Sequence, residues 1–142
     1  MKNTSIYIST SLLLLFGAST HAQNKTNTIQ AVNFSKVEIT DQFWAPKIKT
    51  VSTVTIPVCI EQTEVKTPRI RNFEKVAQQS GEKHEGIYYD DSDVYKALEA
   101  IAYSLKNQPN QALVDKADEW IDKIAAAQLP DGYLNTYYTL NG

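Results

Sequence analysis

Apolar residues recur with the period of an amphipathic helix in two neighbouring stretches of the chain. The first stripe, in the stretch from about residue 92 to 106, consists of Val94, Leu98, Ile101, Ala102 and Leu105. The second stripe, on a predicted helix that ends near Gln128, consists of Leu113, Ala117, Trp120, Ile121, Ile124 and Ala125. Steps of three and four residues bring such side chains onto one helical face. A turn at 107–110 separates the stripes, so the pattern predicts a helical hairpin with antiparallel neighbours.

The first half of the domain carries weaker helical signals. Ile70, Phe73 and Val76 predict a short helix that stops before Gly81. The segment 53–65 is rich in β-branched residues, yet the spacing of its aliphatic side chains favours a helix kinked at Pro57. Asp41 is expected to cap the element that begins at 43. With 32–39 as a short extended segment, the pattern predicts an all-α fold.

The amino terminus has the composition of a secretory signal peptide. Lys2 precedes an apolar run over 6–16, and Thr20-His21-Ala22 forms an acceptable cleavage site. The run is too short to span a membrane as a helix. We therefore divide the chain into a signal peptide (1–22), a flexible leader (23–31) and one domain (32–142). The predicted location is secreted or periplasmic, with no membrane span.

Composition changes this picture little. The chain has 142 residues, 42% hydrophobic and 21% charged, with a net charge of −2, which is typical of a globular protein. Without a basic surplus, nucleic acid is not an expected partner. Cys59 is the single cysteine, so no internal disulfide forms, and its apolar surroundings predict a buried small side chain. No spacing of metal ligands is recognisable.

Acidic residues cluster where the first strong helix begins. Asp90, Asp91 and Asp93 are the best acid–base candidates, and a glycosidase needs two carboxyl groups around the bond that it cleaves. Helix capping by Asp91 or Ser92, together with the helix dipole, explains the cluster without a substrate. Of the functional roles, contact with a sugar hydroxyl by Asp91 or Asp93 is favoured over catalysis.

Tyrosines surround the same region of the sequence. Tyrosines at 88, 89, 133, 137 and 138, with Trp44, are suited to stack on sugar rings, or alternatively to fill a core between helices. His84 lies on a loop from which it can reach a ligand or simply face solvent. We name Tyr89 and His84, with Asp91 and Asp93, as candidate substrate-binding residues, and we assign no catalytic or metal-binding residue.

Five segments together resemble the β-L-arabinofuranosidase family, glycoside hydrolase family 127 and its relatives. They are VNFSKVEITDQFWAPKI, IPVCIEQTE, RIRNFEKVA, GIYYDDSDVYKALEAIAYSL and AAAQLPDGYLNTYYTL, which cover about Val32 to Leu140. The resemblance implies part of an (α/α)6 barrel of helical hairpins and the release of L-arabinofuranose from plant oligosaccharides or polysaccharides. It also implies a zinc-bound cysteine nucleophile and a glutamate acid/base. Cys59 does not lie in that motif, so the nucleophile is not transferred to it.

The chain ends in an aromatic segment for which no terminal helix is predicted. Two helices with broad apolar faces need further partners, so we expect the amino-terminal portion of a larger catalytic domain, inactive by itself. Two alternatives stay open. One is another α/α-barrel carbohydrate enzyme, such as an unsaturated glucuronyl hydrolase or a polysaccharide lyase. The other is a helical glycan-binding protein without catalytic activity.

Overall fold

The computed structural model describes residues 29–142, and within this range it contains helices and no strand. The helices are α1 (Trp44–Thr50), α2 (Ile56–Ile60), α3 (Arg69–Ala77), α4 (Asp91–Asn107), α5 (Gln111–Ala126) and α6 (Thr136–Asn141). No helix of the described range has the length and apolar character needed to cross a membrane. The predicted signal peptide and most of the predicted leader lie outside the described residues.

The segment from Trp44 to Lys66 is helical throughout. Helices α1 and α2 are each followed by a π-helical stretch, Val51–Thr55 and Glu61–Lys66. Pro57 lies inside this continuous helical segment, so the helix predicted over 53–65 is confirmed, while the kink predicted at Pro57 stays a prediction. Local strand propensity is overridden because Ile56 is buried against Ile101 and Leu113 of the following hairpin.

The entry to this helical segment follows the sequence prediction. One carboxylate oxygen of Asp41 accepts the N–H groups of Phe43 at 2.7 Å and Trp44 at 2.5 Å. Two orphan donors of the first turn are thereby satisfied, and the predicted cap is confirmed. Upstream, the extended segment is interrupted by a 3-10 turn at Phe34–Lys36, where the Asn33 side chain accepts the N–H of Ser35.

Helices α3, α4 and α5 enclose the main apolar core. Its buried members are Ile70, Phe73, Val76, Val94, Trp120 and Ala127. Helix α5 packs against both α3 and α4, and α4 and α5 are joined by the short connection 108–110, as the predicted hairpin requires. Ile121 was expected on the inward stripe but is 51% exposed. Its neighbour Trp120 occupies the core-facing position, and consecutive residues of a helix lie about 100° apart.

Cys59 is exposed, and the prediction that it is buried is wrong. In this part of the helical segment the inward positions are Ile56, Ile60 and Thr63, at steps of four and three residues. Cys59 lies beside that stripe, together with the exposed Val58. An apolar run in the sequence therefore did not imply burial, because only one face of a surface helix is covered.

Candidate functional site

The amino-terminal ends of α4 and α6 meet through a buried carboxylate. One oxygen of Asp91 accepts the backbone N–H of Thr136 at 2.7 Å, and the other accepts the Thr136 hydroxyl at 2.6 Å. Asn135 precedes α6 and caps it by accepting the N–H of Tyr138 at 3.0 Å. The two hydrogen bonds of Asp91 join segments that lie 45 residues apart in the sequence.

The acidic cluster does not cap α4, so that expectation is wrong. Asp90 occupies the cap position with a helical backbone and no side-chain cap hydrogen bond. Its carboxylate turns back, accepts the N–H of Ile87 at 2.9 Å, and lies 3.2 Å from the guanidinium of Arg69. Asp93 also pairs with Arg69, at 3.1 Å. Asp91 thus holds the start of α6, whereas Asp90 and Asp93 both pair with Arg69 of α3, a division that the spacing of three acids cannot reveal.

The loop before α4 is fastened to α3 by two buried polar side chains. The Asn72 amide donates to the carbonyl of Glu85 at 2.9 Å and accepts the N–H of the same residue at 3.1 Å. The Lys75 ammonium donates to the carbonyl of Lys83 and forms ion pairs with Glu82 and Glu85. The hydrogen bond to Glu85 is the main reason that the pKa of Lys75 is raised. This loop is therefore a fixed part of the fold.

Tyrosine rings from the segment before α4 and from α6 lie side by side at the surface. We call this group the aromatic rim: Tyr88, Tyr89, Tyr137 and Tyr138. The ring of Tyr137 makes edge-to-face contacts with Tyr88 at 6.2 Å and Tyr138 at 5.2 Å between centroids. Tyr88 contacts Tyr89 in the same way at 5.0 Å. Tyr88, Tyr89 and Tyr138 are each more than half exposed, so they lie outside the core that α3, α4 and α5 enclose. Trp44 makes its edge contact elsewhere, with Phe43.

The rim borders an open pocket of about 350 Å³. The pocket is lined by Tyr88, Tyr89, Asp91, Ser92, Tyr95, Leu134, Asn135 and Tyr138. Burial, followed by the negative charge of Asp91, raises the pKa of Tyr95 to about 12, so its phenol stays a hydrogen-bond donor at neutral pH. Three larger clefts, of about 380, 460 and 570 Å³, have no aromatic lining residue. We favour the smaller pocket because it combines aromatic and polar groups.

His84 supports the rim from the side of the loop. Its ring lies edge-to-face with Tyr137 at 5.3 Å, and both ring nitrogens are enclosed without a hydrogen-bond partner among the described residues. Burial lowers the pKa of His84, while the charges of Asp91 and Asp90 oppose that shift. Lys75 lowers the pKa further, and Glu85 raises it. The fold therefore favours the neutral imidazole.

We expect the free energy of unfolding to decrease as the pH is lowered through the titration of His84. In the unfolded state the imidazole of His84 is protonated near pH 6.5, whereas in the folded state its lowered pKa opposes protonation. The contribution is therefore complete above pH 6.5 and is lost as the pH falls towards the lowered value. Thermal unfolding midpoints at about pH 7.5 and 5.5 will separate more in the wild type than in His84→Gln. Equal separations in the two proteins would contradict this account.

The structure brings three of the four candidate binding residues to the rim region: His84, Tyr89 and Asp91. Asp93 faces away, towards Arg69, and lines a groove that also contains Cys59. Thr136 and its short helix α6 were missed. Asn135 directly before the segment is a helix-start signal, so the sequence did contain a cue. No group of three or more His, Cys, Asp or Glu side chains able to hold a metal ion occurs within 29–142.

Comparison with known proteins identifies the family. The β-L-arabinofuranosidase GH127 catalytic-domain family matches residues 36–142. The chain belongs to this family. The GH127 match includes the aromatic rim, Asp91 and all six helices.

Individual GH127 relatives agree with this assignment. A non-reducing end β-L-arabinofuranosidase from Bifidobacterium longum subsp. longum is 36% identical over 84 residues, which are 59% of this chain and 13% of the relative. A GH127 β-arabinofuranosidase of known structure is 41% identical with a TM-score of 0.71, over 77% of this chain and 17% of that one. A GH127 β-L-arabinofuranosidase from Geobacillus stearothermophilus T6 gives 40% identity and a TM-score of 0.69, over 74% and 18%.

The GH127 structures also settle the fold class. These enzymes have an α/α-barrel fold, and the described helices superpose on part of it. The predicted all-α barrel portion is therefore confirmed. The chain spans less than a fifth of the length of each of these relatives.

Proposed function

We propose that the complete gene product carrying this chain hydrolyses β-L-arabinofuranosidic bonds and releases L-arabinofuranose from plant-derived oligosaccharides or polysaccharides. The observation that carries the proposal is the exposed aromatic rim beside a polar pocket, within a chain that belongs to GH127. Tyrosine rings offer an apolar face for the C–H groups of a sugar and a hydroxyl for its polar edge. In this proposal the described unit binds glycan.

The proposal places no catalytic carboxylate in this part of the chain. Both carboxylate oxygens of Asp91 accept hydrogen bonds from Thr136, and Asp90 and Asp93 form ion pairs with Arg69. A glycosidase carboxyl group must be free to reach the scissile bond or its attacking water. His84, Tyr89 and Asp91 thus stay candidates for the binding region, whereas Asp93 lines the separate groove beside Cys59. In this proposal the acid/base and the nucleophile belong to residues outside 29–142.

Two further parts of the proposal concern the whole protein. The zinc ion that the family resemblance implies would be held outside the described residues, because the acids and the single cysteine found there form no ligand cluster. Export from the cytoplasm is supported by the composition of residues 1–22. Secretion would place the enzyme where plant glycans are accessible.

We expect the complete gene product to release free L-arabinose from an arabinose-rich plant cell-wall glycan, measured by chromatography against a heat-inactivated sample. Unsaturated uronic acid products would instead support the alternative barrel enzyme. Binding of the glycan without any released sugar would support the non-catalytic binding protein. Either of these results would contradict the proposal.

A further inference from the structure

The Asp91 carboxylate differs from the two neighbouring acids in its burial and in its contacts. The residue is only 6% exposed, and each of its two oxygens accepts a short hydrogen bond from Thr136. Among residues 29–142 it forms no ion pair, whereas Asp90 and Asp93 share Arg69. Its charge is therefore stabilised by the donors of one residue, and hydrogen bonds to a carboxylate are among the stronger ones in proteins.

The segment that Asp91 holds includes a short helix and also packs on the core through Leu134 and Leu140. Helix α6 contains only six residues, and a helix of that length is not stable without tertiary contacts. Asn135 satisfies the N–H of Tyr138, and Asp91 satisfies the N–H of Thr136. Two of the donors in the first turn thus depend on these two side chains. Thr136 is itself buried.

The contact lies between the two halves of the aromatic rim. Tyr88 and Tyr89 precede Asp91 in the chain, and Tyr137 and Tyr138 follow Thr136. The only ring contact between the halves is the edge-to-face pair of Tyr88 and Tyr137 among the described rings. The hydrogen bonds of Asp91 join the two halves directly, alongside this ring pair and the packing of Leu134 and Leu140 on the core.

We propose that Asp91 is a positioning residue, which fixes the start of α6 against α4 and thereby sets the geometry of the glycan-binding rim. This inference rests on the proposed function. It assigns Asp91 a role through Thr136, and it predicts that the two hydrogen bonds matter and the negative charge does not.

Substitutions at 91 separate these two properties. An asparagine keeps an oxygen to accept the Thr136 N–H, and its amide can donate to the Thr136 hydroxyl. An alanine removes both hydrogen bonds and leaves a buried N–H without a partner. Positioning therefore predicts that Asp91→Asn retains most of the wild-type behaviour and that Asp91→Ala does not. A charge acting directly on the substrate predicts that both variants lose it equally.

The experiment uses steady-state hydrolysis of an arabinofuranosyl oligosaccharide by the complete gene product. We expect Asp91→Ala to raise KM by about tenfold, because truncation leaves a buried donor unsatisfied and loosens the binding surface. We expect kcat to change much less, since the proposed catalytic groups belong to residues outside 29–142 and the rim would contribute binding alone. Thr136→Val, which keeps the volume and removes the hydroxyl, should raise KM by a smaller factor. Asp122→Asn, on the exposed face of α5, serves as the matched control and should leave both constants unchanged.

The outcomes distinguish the inference from the function on which it rests. A wild-type protein that releases no arabinose would overturn the proposed function. An active wild type with unchanged KM in Asp91→Ala, or in Thr136→Val if the alanine variant does not fold, would overturn the positioning role alone. Equal losses in Asp91→Asn and Asp91→Ala would also overturn it, in favour of a direct contact. Recovery by asparagine supports it.

Discussion

Replacement of Trp120 by alanine is expected to lower the free energy of unfolding by about 3–5 kcal/mol, the range found for large aromatic truncations in a core. Trp120 is 0% exposed and is the largest of the fully buried side chains. It packs in the cluster formed by residues of α3, α4 and α5, so its removal leaves a cavity shared by three helices. Urea denaturation of the protein measures the loss.

The other tryptophan provides a matched control for this prediction. Trp44 is 57% exposed at the start of α1, and its removal should change the stability by no more than about 0.5 kcal/mol. Trp120→Phe should fall between the two, because it keeps most of the volume and removes an indole N–H that has no partner among the described residues. Equal losses for Trp44→Ala and Trp120→Ala would show that the core is not organised around α5.

The second large effect is expected from Gly86→Ala, in the loop that carries His84. Gly86 has φ of +103°, and a Cβ atom there would collide with the carboxylate of Asp90. That carboxylate also accepts the Ile87 N–H and pairs with Arg69, so it cannot move without breaking both contacts. We expect a loss of more than about 2 kcal/mol in the free energy of unfolding, because backbone strain and displacement of a buried acid add together.

Gly81→Ala is the control for the backbone contribution alone. Gly81 also has a positive φ, +75°, but no atom lies within 4 Å of the position that its Cβ would take. Its substitution should therefore cost about 1–2 kcal/mol, the penalty of a left-handed conformation for a side-chain-bearing residue. A cost for Gly86→Ala no greater than that for Gly81→Ala would contradict the assigned packing of Asp90.

The helical hairpin could be predicted because its signal is periodic and long. Val94 and Ile101 on α4, and Leu113 and Trp120 on α5, are spaced at about seven residues and are all buried. The ambiguity arose where two apolar residues are adjacent, as with Trp120 and Ile121. Sequence spacing admits either residue to the core, and only packing against α3 selects one of them.

The candidate site was less predictable, because its geometry depends on partners far away in the chain. Asp90, Asp91 and Asp93 are the same residue type, yet their partners differ. Asp90 contacts Ile87 and Arg69, Asp91 contacts Thr136, and Asp93 contacts Arg69 and Lys96. Nothing local to the cluster specifies Thr136. The aromatic content of both segments left two alternatives, stacking on sugar rings or filling a core, and the exposure of Tyr88, Tyr89 and Tyr138 in the described range favours the first.

Anomeric selectivity tests the central claim most directly. The complete gene product should be assayed with the p-nitrophenyl β-L- and α-L-arabinofuranosides under identical conditions, and kcat/KM compared. The proposed β-L-arabinofuranosidase function predicts turnover of the β-L-anomer at least about a hundredfold above that of the α-L-anomer, which corresponds to about 2.7 kcal/mol of transition-state discrimination. Hydrolysis of the α-L-anomer with equal or greater efficiency, or of neither anomer, would contradict the account.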